Sequence, residues 1–120
     1  MDSKPVLHYF KLYGRGEPIR FALQFFGIEY EEKELAGKLT DGEEGGKAWA
    51  EARKTYEFGM VPVLEIDGKK LSQTKSILRY IFQRQGNYPT DKYDIYRLES
   101  LVDLYSDIEG ALMKAYFSPD

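Results

Sequence analysis

The stretch "MVPVLEIDGKKLSQ" at residues 60–73 constrains the fold of this chain more than any other. It predicts a strand, a turn at Asp67-Gly68 and a second strand. An Asp-Gly pair accepts the positive φ angles of a tight hairpin, whose twist matches the strands on either side. With that antiparallel pair fixed, the rest of the chain can be read around it. "PVLHYF" at 5–10 is apolar and β-prone and predicts a buried strand. "KLYGRG" breaks that strand. From Gly16 onward Ile19, Ala22, Leu23 and Phe26 recur at helical spacing, with Glu17 and Pro18 suited to a first turn and Gly27 to a stop.

"EYEEKEL" at 29–35 sets Tyr30 against charges and reads as an edge-like strand. Residues 36–46, "AGKLTDGEEGG", carry four glycines and few apolar groups, which predicts a mobile surface loop. "KAWAEARKTY" predicts a short helix. After the hairpin, Ser72 or Thr74 can cap a helix with Ile77, Leu78 and Ile81 on its inner stripe, ending near Gly86. The order is β, α, β, α, β, β, α. A boundary at "GNYPTDKYD" then separates residues 1–86 from 87–120. In the second segment Leu98, Leu101, Val102, Tyr105, Ile108 and Leu112 form one amphipathic helix, which needs a partner surface.

Composition excludes several kinds of chemistry. At 120 residues there is material for one core. A net charge of -3 with dispersed basic residues argues against nucleic-acid binding, and Lys69-Lys70 reads as turn surface. The absence of cysteine removes disulfides and thiol nucleophiles, and a single histidine leaves no zinc set of His and Cys. No apolar run reaches the roughly 18 residues of a membrane helix, and "MDSKPVLHYF" lacks a signal-peptide core, so the expected compartment is the cytosol and no membrane partner is expected.

The βαβ-α-ββα order is that of a thioredoxin-like α/β domain. Where thioredoxins carry a reactive cysteine pair, at the start of the first helix, this chain has Tyr9 and "KLYGRG". A protein of this fold without sulfur can handle a thiol only if a ligand brings the thiol and the protein supplies a donor. Tyr9 is either strand packing or that donor. His8 alternates with it and reads as structural. The "GRG" glycines do not have dinucleotide-binding spacing.

Three motifs in order, "LHYFKLYGRGEPIR", "MVPVLEIDG" and "LSQTKSILRYI", resemble the N-terminal domain of cytosolic glutathione transferases of the sigma class. That class includes haematopoietic prostaglandin D synthase and the S-crystallins. The resemblance covers residues 5 to 115 and implies a glutathione-binding domain at 1–86, followed at 87–120 by the first helix of an all-α domain. It implies that Tyr9 hydrogen-bonds the glutathione sulfur, supported by Arg15, with Phe10 beside it. It implies that the Trp49 indole N–H meets the glycyl end of the tripeptide. Arg53, where the family usually has lysine, or Lys54 next to it meets the glycyl carboxylate.

By the same resemblance Met60, Val61 and Pro62 form a cis-proline turn that pairs with the cysteinyl backbone. Gln73 and Thr74 receive the γ-glutamyl carboxylate at a helix start. Asp107 reaches the γ-glutamyl amine of a neighbouring subunit. The implied activity is conjugation of glutathione, the co-substrate, to a small electrophile in detoxification by a cytosolic homodimer, with no metal. A glutathione-dependent prostaglandin isomerase, a non-catalytic crystallin-like protein and a module like that of an elongation factor gamma subunit are the alternatives.

Overall fold

The computed structural model describes residues 3–118. Four strands form one sheet in the order β2-β1-β3-β4. Strand β1 (Val6–Phe10) leads through a 3-10 turn at Gly14–Gly16 into helix α1 (Glu17–Phe25), and β2 (Glu31–Leu35) follows. Helix α2 (Lys38–Ala52) and a 3-10 turn at Arg53–Thr55 precede β3 (Val63–Ile66) and β4 (Lys69–Ser72). Helix α3 (Thr74–Arg84) and the long α4 (Lys92–Tyr116) complete the order. Strand β1 pairs parallel with β2, Tyr9 opposite Glu34, and antiparallel with β3, His8 opposite Val63. The hairpin register sets Ile66 against Lys69, with Asp67 and Gly68 both at positive φ, as the Asp-Gly pair predicts.

Strand alternation divides the interior. Leu7 and Tyr9 face a core shared with Ile19 and Leu23 of α1 and Ile77 and Ile81 of α3. His8 points the other way, and its Nδ1 lies 2.9 Å from the Tyr56 hydroxyl. Leu35, Tyr56 and Val63 form a second, smaller cluster on that side, with Phe10, Trp49 and Val61 against it. Helix α1 stops where Gly27 takes φ +66, and α3 where Gly86 takes φ +72, the left-handed C-terminal geometry glycine permits.

Two expectations are corrected. Residues 36–46 are not a loop: helix α2 begins at Lys38 and is interrupted only by non-helical Asp41 and Gly42. Gly45 is there for close packing, since a Cβ on it would stand 2.5 Å from the Gly37 carbonyl oxygen. Capping at Gly37 comes from Thr40, which accepts the Gly37 N–H through Oγ1 at 3.0 Å. Nor is α3 capped by Ser72 or Thr74. Its N-cap is Gln73, at φ +76 with no side-chain cap bond, and the Thr74 hydroxyl donates to the Arg15 carbonyl at 3.0 Å.

Helix α4 is capped by Asp91, whose carboxylate accepts the N–H groups of Tyr93 and Asp94. None of its residues is buried. Ile108 and Leu112 on its stripe, and Leu104 at the stripe's edge, are half or more exposed.

Candidate functional site

Tyr9 sits at the end of β1 because the strand is apolar on the face that meets α1 and α3, which leaves the ring 5% exposed. Its phenol oxygen accepts the backbone N–H of Arg15 at 2.9 Å. That bond uses the oxygen as acceptor and leaves the O–H hydrogen for another partner. Burial pushes the Tyr9 phenol above its usual range, while the Arg15 N–H bond works against the rise. The Glu109 carboxylate adds to the rise and the Arg15 charge opposes it. A phenol held upward in this way stays protonated at neutral pH, so its O–H remains available to donate. The loop fits tightly around it: a Cβ on Gly16 would stand 2.6 Å from Tyr9 Cδ2.

Beyond this loop lies a groove of ≈ 330 Å³ whose walls include Arg15, Met60, Val61, Pro62, Gln73 and Thr74. The Val61-Pro62 bond is cis. The N-terminus of α3, at Thr74, opens on the same groove, where its unpaired backbone N–H groups favour an anion. From α4 the groove receives Tyr105, Ser106 and Glu109. Glu109 pairs with Arg15 (Nε to Oε1, 3.7 Å) and accepts the Tyr105 hydroxyl at 3.1 Å.

A second group lies on the other face of the sheet. Phe10 and Trp49 meet edge to face with centroids 4.9 Å apart, and the Arg53 guanidinium lies 5.8 Å from the Trp49 ring centre. Val61 packs against this cluster and also lines the groove, so the two groups adjoin. Lys54 is paired with Glu51 at 3.0 Å. Asp107 is exposed on α4 and does not line the groove.

Two residues escaped the motif-based reading. Glu109 sits at the C-terminal end of an apolar stripe and looks like solvated helix surface. Arg20 follows "EPI" and reads as the polar face of α1, yet only 12% of its side chain is exposed. Its Nη1 donates to the Leu12 carbonyl and to Glu17, both at 2.8 Å, and its Nε to Glu32 at 2.8 Å. The guanidinium carbon lies 5.7 Å from the Tyr9 ring centre. Only the place of Arg20 four residues from the loop glycines could have drawn attention to it.

A larger and more open cleft of ≈ 720 Å³ runs between the β1–α1 loop and the end of α4, lined among others by Tyr13, Met113, Tyr116 and Phe117. Among the described residues no group of three or more His, Cys, Asp or Glu could hold a metal ion.

A thioredoxin-like sheet with a cis-proline before β3, and a tyrosine in place of the redox cysteines, defines a glutathione-transferase type of domain. Residues 5–83 match the family model "Glutathione S-transferase, N-terminal domain", and the chain belongs to that family. Among curated proteins it is 39% identical over 113 residues to glutathione S-transferase A3 of Mus musculus, covering 89% of this chain and 44% of the relative. Glutathione S-transferase alpha-2 of Rattus norvegicus is 41% identical over 111 residues, with the same coverage. The chain thus spans less than half the length of these relatives. Among solved structures, prostaglandin synthase D of Nilaparvata lugens superposes with a TM-score of 0.78 at 26% identity, over 98% of this chain and 55% of that one. A Nu-class glutathione transferase of Haemonchus contortus gives 0.71 at 30% identity, over 89% and 48%.

Proposed function

We propose that this chain binds glutathione and that the Tyr9 hydroxyl activates its thiol for attack on a small electrophile. The observation that carries the reading is the Tyr9 phenol, kept neutral by burial and bonded to the N–H of Arg15, a residue that lines the groove ending on the α3 N-terminus. A free thiol has a pKa near 8.5, so only a few per cent is thiolate at pH 7. Lowering it by about two units takes about 2.7 kcal/mol and makes the thiolate dominant. A donor O–H to sulfur, with the Arg15 charge close by, supplies interactions of that kind. The thiol loses its proton to water, and the thiolate forms the carbon–sulfur bond as a leaving group departs with its electron pair, or as a double bond takes up the pair and is then protonated by water.

Arg15, Met60, Val61, Pro62, Gln73 and Thr74 hold the tripeptide on the Tyr9 side, with Val61 presenting its backbone to the cysteinyl residue as an added strand does. Phe10, Trp49 and Arg53 receive its glycyl end, and Lys54 joins them once released from Glu51. Asp107, exposed on α4, is free to reach a second subunit of a cytosolic homodimer. The open cleft walled by Tyr13, Met113, Tyr116 and Phe117 takes the electrophile. On this reading 1–86 is the glutathione domain and 87–120 begins the helical one.

A sigma-class assignment, with a prostaglandin isomerase activity through the same thiolate, is supported by the three motifs and by the likeness to prostaglandin synthase D. The curated relatives cited above carry alpha-class or A-series names.

The test is retention on immobilised glutathione, followed by conjugation of chlorodinitrobenzene by wild type and Tyr9→Phe. Retention by both, with turnover at pH 7 falling about tenfold to a hundredfold in Tyr9→Phe, supports the enzyme. Retention without turnover points to a glutathione-binding scaffold, and failure to bind overturns the site.

A further inference from the structure

Arg20 makes more polar contacts than its place on α1 requires. Two carboxylates, Glu17 and Glu32, already balance its charge at 2.8 Å each. In addition its Nη1 holds the Leu12 carbonyl at 2.8 Å and reaches the Tyr13 carbonyl at 3.4 Å. Those two carbonyls immediately precede the Gly14–Gly16 turn, whose central N–H binds the Tyr9 oxygen. One half-buried guanidinium therefore joins the edge strand β2, the first turn of α1, the loop after β1 and the side of the Tyr9 ring. A planar, multidentate donor can do this, whereas a lysine offers one flexible point charge.

The loop has little room to shift without disturbing Tyr9. Gly14 and Gly16 lie against the ring and hydroxyl so closely that neither has space for a Cβ. Thr74 ties the same loop to α3 through the Arg15 carbonyl, but it acts at the centre of the turn, where Arg20 acts before it.

We propose that Arg20 is a positioning residue for Tyr9: by clamping the Leu12 and Tyr13 carbonyls it keeps the Arg15 N–H on the phenol oxygen and so sets the direction of the hydroxyl. This deepens the reading of Tyr9 as the thiol-activating donor and rests on it. Arg20 also forms part of the wall of the open cleft, but the role assigned to it runs through the loop and Tyr9.

The test uses the full chain as wild type, Arg20→Met, Arg20→Lys, Glu32→Gln and Tyr9→Phe. The thiol of bound glutathione is titrated by its ultraviolet thiolate absorbance, Arg15 amide exchange is followed by NMR, and unfolding is measured in parallel. In Arg20→Met the bound thiol should titrate about half a unit to one unit higher, the equivalent of one preorganised hydrogen bond, and Arg15 amide protection should fall. Arg20→Lys should lie between, because it keeps the charge and loses the fork. Glu32→Gln removes an anchor of Arg20 but no contact to the loop, so it should lower stability and leave the thiol titration in place.

A wild-type thiol titration in folded Arg20→Met, with Tyr9→Phe clearly shifted, overturns the inference and leaves the reading of Tyr9 standing. Equal shifts in Arg20→Met and Glu32→Gln overturn it as well, since a general loosening of the fold would produce them. If wild type and Tyr9→Phe titrate alike, the reading of Tyr9 fails, and the Arg15 amide alone decides whether Arg20 positions the loop. Should Arg20→Met not fold, Arg20→Lys carries the same comparison.

Discussion

At the scale of single residues, two side chains of β1 that differ by one position meet opposite demands. Tyr9 needs a neighbour without a side chain. Gly16 has ordinary helical angles, φ -80 and ψ -20, so alanine there is free of backbone strain and would normally stabilise by reducing unfolded-chain entropy. Its Cβ, however, would stand 2.6 Å from Tyr9 Cδ2 and 3.0 Å from Cγ. Gly16→Ala should therefore cost about 1–3 kcal/mol in urea unfolding and weaken thiol activation with it, and a gain in stability would show that the ring can move aside. His8 faces the other way, with Tyr56 at 2.9 Å and the Glu65 carboxylate 3.5 Å from Nε2. Burial holds its pKa below the usual 6.5, while Glu65 pulls upward and Lys33 and Lys70 pull down. The unfolded chain then binds the proton more readily, so stability is full above about pH 6.5 and is lost as pH falls through the lower folded value. The melting temperature should decline as pH falls below about 6.5 in wild type, and His8→Gln should flatten that slope. The sequence revealed the alternation of His8 and Tyr9 because a strand has period two. It could not reveal that Arg20, on another element, closes over the same ring.

At the scale of elements, the hairpin was legible because its turn chemistry is local, and α2 was not because the chemistry of its glycines is tertiary. Asp67-Gly68 needs nothing beyond its own φ angles to make a turn. Gly45 needs Gly37 beside it, and nothing in "GEEGG" states that. The start of α3 was misread for a similar reason, since the Thr74 hydroxyl serves the Arg15 carbonyl rather than its own helix. Arg15, Met60, Val61, Pro62, Gln73 and Thr74 meet in one groove because the loop after β1, the turn before β3 and the start of α3 are brought together by the order of elements. The hairpin also contains a clasp that the sequence does not announce. Asp67 takes φ +53 and accepts Arg84 through Nε at 2.8 Å and Nη2 at 3.0 Å, together with the Tyr80 hydroxyl at 2.7 Å. These bonds tie the turn to the end of α3 and hold the Asp67 carboxyl below the usual carboxylate range, the Arg84 bond chief among them. Allowing for solvent screening at the rim of the fold, Asp67→Ala should cost about 1 kcal/mol at neutral pH, read from the denaturation midpoint. The difference from wild type should vanish in acid, because the clasp is present above about pH 3.9 and is lost as the carboxyl protonates. A penalty that persists at low pH would assign the effect to the turn alone.

At the scale of the whole molecule, the fold has one well-filled core and one helix that does not enter it. Leu7, Ile19, Leu23, Leu64, Ile77 and Ile81 are fully buried, whereas Leu104, Ile108 and Leu112 on α4 are 54%, 52% and 65% exposed. Helix α4 meets the rest through half-buried Leu98 and Val102, near Leu78 and Phe82, and through ion pairs, Lys75 with Asp103 at 2.6 Å, Arg79 with Glu99 at 3.5 Å and Arg15 with Glu109 at 3.7 Å. Exposed ion pairs of this kind contribute at most about 1 kcal/mol each. The exposed part of the stripe therefore adds little to the stability of this 120-residue chain, although the stripe is the most regular apolar pattern in the sequence. Periodicity shows that a helix has an apolar face and is silent on whether the same chain covers it. Replacing Leu104 and Ile108 together by lysine should leave the unfolding free energy within about 0.5 kcal/mol of wild type, while Ile77→Ala should cost about 2–5 kcal/mol. The same double substitution should reduce the fluorescence of an apolar dye bound to the native chain, because contiguous exposed apolar surface is what such a dye reports. If the double variant instead unfolds as readily as Ile77→Ala, the stripe is covered in solution and α4 belongs to a buried interface.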